Sequence, residues 1–111
     1  MRTQVILWAA QRASAAVLAL CIVVHLFTII YAVRHGLTAA EIFGRTRGNP
    51  AWAAFYAFFV VAVGIHAPIG LRSVLSETLA WRGRSLDVAM LALAFALMLA
   101  GARAVFAVIG G

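Results

Sequence analysis

Residues 13–33 read ASAAVLALCIVVHLFTIIYAV, and this stretch contains no Arg, Lys, Asp or Glu. As a helix, such a run is long enough to cross the roughly 30 Å hydrocarbon core of a bilayer. Residues 51–71, AWAAFYAFFVVAVGIHAPIGL, form a second run of this kind, and a third extends from Val88 onward, interrupted only by Arg103. The sequence therefore predicts an all-α membrane protein with three transmembrane helices, at about residues 5–33, 51–79 and 86–109.

The composition points to the same class of protein. Hydrophobic residues make up 66% of the 111 residues, more than a soluble domain can bury, so we interpret residues 1–111 as a single transmembrane domain. The net charge of +6 comes from arginines that cluster mostly at helix ends, where lipid headgroups explain them, and no nucleic-acid partner is expected. A slight excess of arginine on the N-terminal side favours a cytoplasmic N-terminus, in a bacterial inner membrane.

The connection at residues 34–50 is polar and is expected to lie outside the hydrocarbon. Thr38 and Glu41 have the spacing of a capping box, which predicts a short interfacial helix over residues 39–43. Pro50 is suited to the first turn of the second long helix.

The turn at residues 81–84 is short, which predicts that the second and third long helices are antiparallel neighbours. We expect Ser85 to be the N-cap of the last helix, with Asp87 near the positive end of its dipole. Small residues recur every four positions along this helix and allow another helix to approach closely, either within the chain or from another subunit. They are Ala92, Ala96, Ala100 and Ala104.

Two histidines, His25 and His66, lie deep within the apolar runs, where an ionisable ring is retained only if something in the bundle satisfies it. One reading is a cofactor: imidazole is a good axial ligand for haem iron, and Gly70, one turn after His66, leaves a flat helix surface for a porphyrin. Pro68 is expected to bend this helix near the histidine. The other reading is a hydrogen bond to a neighbouring hydroxyl such as that of Thr28.

The residues around both histidines carry a family resemblance. The first segment has Gln11, Arg12, Ala13 and Ser14 ahead of His25, and the second has His66, Gly70, Arg72 and Glu77. Both segments resemble the cytochrome b membrane-anchor subunits of the succinate dehydrogenase and fumarate reductase family. The resemblance implies haem b bound through His25 and His66, flavoprotein and iron–sulfur partner subunits, membrane quinone, and a non-catalytic role in electron transfer.

The resemblance also implies a role for charged and polar residues at one membrane face. Arg12 and Arg72 should lie near the same face, and in this family arginines at such positions accompany haem propionates or the quinone site. The alternative is that both only reach the headgroups. The family often has a serine one turn before the first arginine, whereas this chain has Trp8 there, and Ser14 is the candidate substitute.

The depths of the two histidines differ. Counted from Arg12 and Arg72, His25 is roughly 20 Å deep and His66 roughly 9 Å, at 1.5 Å per residue. This favours two haems, each shared with a histidine of a second subunit, so that the chain is half of a haem-binding bundle in a homodimer or beside a similar small membrane subunit. One haem bridged by His25 and His66 is the alternative, and a haem-free structural anchor or assembly subunit is the competing function.

Overall fold

The computed structural model describes residues 2–110, and over this range the chain forms four helices and no strand. The helices are α1 (Arg2–Arg34), α2 (Ala39–Thr46), α3 (Pro50–Thr78) and α4 (Arg84–Ile109). The three long helices are each long and apolar enough to cross a membrane. The predicted all-α class with three spans is confirmed, and α1 begins three residues earlier than expected.

Helix α3 is the central element, because α1 and α4 both pack against it. The side of α1 that faces inward follows a spacing of alternately four and three residues, which keeps one stripe of the helix against its neighbour. Its members are buried or half-buried, and they are Leu7, Gln11, Ser14, Leu18, Cys21, His25, Thr28 and Ala32. Both candidate histidines therefore belong to the α1–α3 layer.

Two glycines bring α3 and α4 into close contact. A methyl group at Gly101 of α4 would overlap Val60 of α3, and a methyl group at Gly64 of α3 would lie 2.5 Å from Sδ of Met98. Small residues at such positions let two helix backbones approach and gain dispersion contacts, which are the main source of helix association in a bilayer.

We call the small residues that recur every four positions along α4 the alanine ridge, and packing within the chain would leave them buried. All four of its residues, Ala92, Ala96, Ala100 and Ala104, are exposed on the surface of the chain. The close packing with α3 uses Gly101 instead. The ridge is therefore more exposed than ordinary packing within the chain would leave it.

The connection after α1 contains the expected N-cap at Thr38, which makes one of the two hydrogen bonds of a capping box. The Thr38 hydroxyl accepts a hydrogen bond from the Glu41 amide at 3.2 Å and lies 3.2 Å from the Glu41 carboxyl group. The cap supplies a partner for one of the free amides in the first turn of the helix. The predicted helix is confirmed, and it extends to Thr46, three residues beyond the predicted end.

The end of α2 is hydrogen-bonded to the end of α4. The buried Thr46 hydroxyl donates to the carbonyl oxygen of Val108 at 2.9 Å, and the Gly48 amide donates to that of Ile109 at 2.9 Å. The last carbonyls of a helix have no partner within the helix, so these two bonds satisfy groups that would otherwise need water. We call this pair of bonds the α2–α4 latch.

Helices α3 and α4 start in different ways. Asn49 caps α3 by accepting from the Ala51 amide at 3.0 Å. The predicted Ser85 cap of α4 is wrong: the helix begins at Arg84, two residues earlier than predicted, after Gly83, whose φ of 96° suits glycine. The Ser85 hydroxyl instead accepts a hydrogen bond from the indole of Trp81 at 2.8 Å.

Candidate functional site

His25 lies between two aromatic rings of α3. The centroid of its imidazole is 5.8 Å from that of Tyr56 and 5.7 Å from that of Phe59, with interplanar angles of 83° and 80°. Its Nδ1 atom is 3.4 Å from the Tyr56 hydroxyl. Thr28 does not satisfy the ring, because its hydroxyl donates to the backbone oxygen of His25 at 2.6 Å. The ring is thus held by α3 and not by its own helix.

His66 lies on α3 with its Nδ1 atom buried, and among the described residues that atom has no hydrogen-bond partner. Phe59 and Tyr56, which contact His25, precede His66 by seven and ten residues, so the two histidines lie about 10–15 Å apart along the helix axis. This separation resembles the difference of about 10 Å inferred from the sequence. It places the two histidines at different levels of the bundle.

A largely apolar cavity of about 570 Å³, which we call the His25 cavity, lies between α1, α2 and α3. His25 and Tyr56 form part of its wall, and the exposed Arg45 lies at its outer rim. The guanidinium of Arg45 is 5.6 Å from the centroid of the Tyr31 ring, and its Nη1 atom is 3.5 Å from the Tyr31 hydroxyl. The cavity therefore combines an apolar interior, an imidazole and a positive charge at the rim.

A second cavity of about 530 Å³ lies at the other end of α1, and we call it the arginine cavity. Arg12 and Arg72 both line it, together with Trp8 and Gln11. The Arg12 guanidinium lies 5.2 Å from the centroid of the Trp8 ring. The structure thus brings the two arginines to one cavity, as expected from their position near the same membrane face.

Arg72 also forms an ion pair that the sequence did not predict. Its Nε atom lies 2.8 Å from Oδ1 of Asp87, and both side chains are partly exposed. An exposed pair of this kind adds at most about 1 kcal/mol to stability. Its main effect is on charge, because Asp87 neutralises part of the positive field of the cavity. The only sequence signal was the place of Asp87 in the first turn of α4.

Ser14 and Gly70 occupy positions that differ from their expected roles. Ser14 is buried and donates to the carbonyl oxygen of Gln11 at 3.1 Å, and it is not among the residues that line the arginine cavity. A methyl group at Gly70 would lie 3.0 Å from Nε2 of Gln11, so the Gln11 side chain covers the helix surface at Gly70. Gly70 thus makes room for Gln11 in this conformation, and a porphyrin there requires the Gln11 side chain to turn away.

The two imidazoles of this chain match half of a bis-histidine haem site at each of two depths. A bis-histidine haem needs two imidazoles, and the chain supplies one at the level of Tyr56 and another at His66. The buried Nδ1 of His66 has no polar partner among the described residues, whereas the second nitrogen of a metal-binding histidine normally donates to one. Within residues 2–110, no three side chains of His, Cys, Asp or Glu converge to hold a metal ion.

Comparison with known proteins defines the family. Neither the curated proteins nor the solved structures gave a match. The model of the succinate dehydrogenase/fumarate reductase transmembrane subunit family matches residues 1–102, which include both histidines, both cavity arginines and most of α4. Together with the three apolar helices, this match establishes an integral membrane protein. The chain belongs to the succinate dehydrogenase/fumarate reductase transmembrane subunit family.

Proposed function

We propose that this chain is a haem b-containing membrane anchor of a succinate dehydrogenase- or fumarate reductase-like complex. It passes electrons between an iron–sulfur subunit, itself attached to a flavoprotein, and membrane quinone. The observation that carries the proposal is the presence of one imidazole at each of two depths, about 10–15 Å apart, on helix faces within the α1–α3 layer. Family membership supports the same function.

In this proposal His25 and His66 are axial ligands of two different haems. Each iron takes its second imidazole from a second copy of the chain or from a similar small subunit, so a dimer holds two haems. The exposed alanine ridge of α4 and the open sides of α1 and α4 leave room for such a partner. Bound haem supplies reversible one-electron transfer. The chain contributes the imidazoles, the apolar surroundings and the charges.

Positively charged side chains lie at both ends of the bundle, where they suit the carboxylates of haem propionates or a quinone. Arg12 and Arg72 line the arginine cavity and supply donors for propionates or a quinone carbonyl. Ser14 supports that site indirectly, because it holds the backbone of Gln11. Gly70 serves it by admitting the Gln11 side chain. Arg45 has the corresponding position at the rim of the His25 cavity. We place the N-terminus in the cytoplasm of a bacterial cell, with the chain in its inner membrane.

The test is haem content with histidine variants. Protein purified after expression with ample haem should show the sharp reduced α band of bis-histidine haem b, and a pyridine haemochrome assay should find two haems per dimer. His25→Ala and His66→Ala should each remove one of them. His35→Ala is the matched control, because His35 is exposed, stacks on Tyr31 and should leave the haem content unchanged. A colourless wild type, or one haem per dimer, contradicts the proposal.

A haem-free structural anchor or assembly subunit is the second candidate. The contact of His25 Nδ1 with the Tyr56 hydroxyl favours it, because this hydrogen bond gives the imidazole a polar partner without a metal. Under this function, His25→Ala would leave a colourless protein colourless and would lower its stability, since the Tyr56 hydroxyl would lose its partner. The absorption spectrum of the wild type separates the two candidates.

A further inference from the structure

We infer that Tyr56 is the positioning residue of His25: its hydroxyl group engages Nδ1, directs Nε2 to the iron and tunes the reduction potential of that haem. The inference rests on the proposed function, in which His25 is an axial ligand. It concerns a residue of the opposite helix that does not itself contact the metal.

The geometry restrains the imidazole in two ways. The Tyr56 hydroxyl lies 3.4 Å from Nδ1, which is a long hydrogen bond. The rings of Tyr56 and Phe59 both meet the imidazole at nearly right angles, which limits its rotation. An imidazole has two nitrogens, and the hydrogen bond made by one determines which of them is free for a metal.

Tyr56 is itself held by its neighbours on α3. Its ring stacks on Trp52 with centroids 5.8 Å apart and an interplanar angle of 24°, and it meets Phe55 at 5.0 Å. Both Tyr56 and Trp52 line the largely apolar His25 cavity, which offers few other partners for a hydroxyl. The hydroxyl is therefore directed to His25 by packing, in the manner of the outer partners that orient metal-binding histidines.

The contact has an electronic consequence. When Nε2 binds iron, Nδ1 carries the proton and donates to the phenol oxygen of Tyr56. This hydrogen bond makes the imidazole a stronger electron donor, which stabilises ferric over ferrous iron and lowers the reduction potential. Tyr56→Phe keeps the ring but removes the acceptor. We expect the preference for ferric iron to fall about tenfold, which raises the potential by about 59 mV for one electron.

The experiment compares Tyr56→Phe with Thr78→Val in the purified, haem-loaded protein. Thr78 lies on the same helix as Tyr56 but lines neither the His25 cavity nor the arginine cavity, and its hydroxyl donates to the carbonyl oxygen of Val74, so it controls for the loss of a hydroxyl from α3. Potentiometric titration of the α band and the low-spin ferric electron paramagnetic resonance signals are the readouts. In Tyr56→Phe one haem should shift upward by about 59 mV with a changed signal, and in Thr78→Val neither haem should shift.

The outcomes separate this inference from the proposed function. A wild type without haem overturns both. A wild type with two haems whose potentials are unchanged in Tyr56→Phe, or equally changed in Thr78→Val, overturns only the role of Tyr56. Loss of haem from Tyr56→Phe supports the role of Tyr56 if the haem-free variant unfolds at the same temperature as the haem-free wild type. Loss of haem together with a lowered unfolding temperature overturns that role, because the hydroxyl then acts on the fold.

Discussion

Replacing Gly101 by alanine tests how the contact between α3 and α4 determines stability. The added methyl would overlap Cγ1 of Val60 and lie 2.8 Å from its Cγ2 and 3.1 Å from its Cβ. Favourable carbon–carbon contacts are about 3.5–4.0 Å, so the two helices must move apart by about 1 Å. Valine in a helix has essentially one side-chain rotamer and cannot turn away.

The magnitude follows from two opposing effects. Overpacking of this kind typically costs about 1–3 kcal/mol. Replacing glycine by alanine within a helix returns about 0.5–1 kcal/mol. We therefore expect Gly101→Ala to lower the free energy of unfolding by about 1 kcal/mol, and by no more than about 2.5 kcal/mol. A wider spacing of α3 and α4 should also reduce the packing contacts that hold α3, the helix that carries His66.

Two further glycines provide matched comparisons. A methyl at Gly64 would lie 2.5 Å from Sδ and 3.0 Å from Cγ of Met98, but methionine is flexible and can move, so Gly64→Ala should change stability by less than about 1 kcal/mol. At Gly44 in α2, no described atom other than those of its chain neighbours and its own helix backbone lies within 4 Å of such a methyl, and Gly44→Ala should not destabilise. Thermal unfolding in detergent, followed by circular dichroism, measures all three. A Gly101→Ala variant as stable as Gly64→Ala would refute the reasoning.

The remaining predictions concern the connection between α1 and α3. Thr46→Val leaves the carbonyl of Val108 without its hydroxyl partner and should lower the free energy of unfolding by about 1–3 kcal/mol, measured by thermal unfolding. Thr78→Val is the control, because its exposed hydroxyl bonds to the carbonyl oxygen of Val74 within α3. Equal losses of stability in the two variants would contradict the latch. Thr38→Ala should destabilise α2 by about 1 kcal/mol, seen as faster hydrogen exchange of the Glu41 amide, and unchanged exchange there would contradict the cap.

The features that could be predicted from the sequence depend on residues close together along the chain. The three spans follow from uninterrupted apolar runs, whose length matches a bilayer. The cap formed by Thr38 and Glu41 follows from a spacing of three residues, because the hydrogen bond joins neighbours in one turn. Arg12 and Arg72 reach one cavity because antiparallel helices bring residues near the same membrane face together.

The features that could not be predicted join residues on different helices. The contact of Tyr56 with His25 and the pair of Arg72 with Asp87 depend on how far each helix is rotated and shifted against its neighbour. An apolar pattern on every side of a helix does not specify that rotation. The predicted start of α4 was wrong for a local reason. Gly83 has a positive φ and stands at the N-cap, so Ser85 lies inside the first turn of the helix. The Ser85 hydroxyl accepts a hydrogen bond from the indole of Trp81 instead of capping the helix.

The α2–α4 latch has a consequence for how the protein is made. Thr46 and Gly48 are synthesised about sixty residues before Val108 and Ile109, the carbonyls to which they bond. During translation the buried Thr46 hydroxyl and the Gly48 amide must therefore rely on water or headgroups while α3 and α4 enter the bilayer. The segment between the first two spans reaches its final arrangement only after α4 is inserted, so membrane integration of α4 is the step that completes the latch.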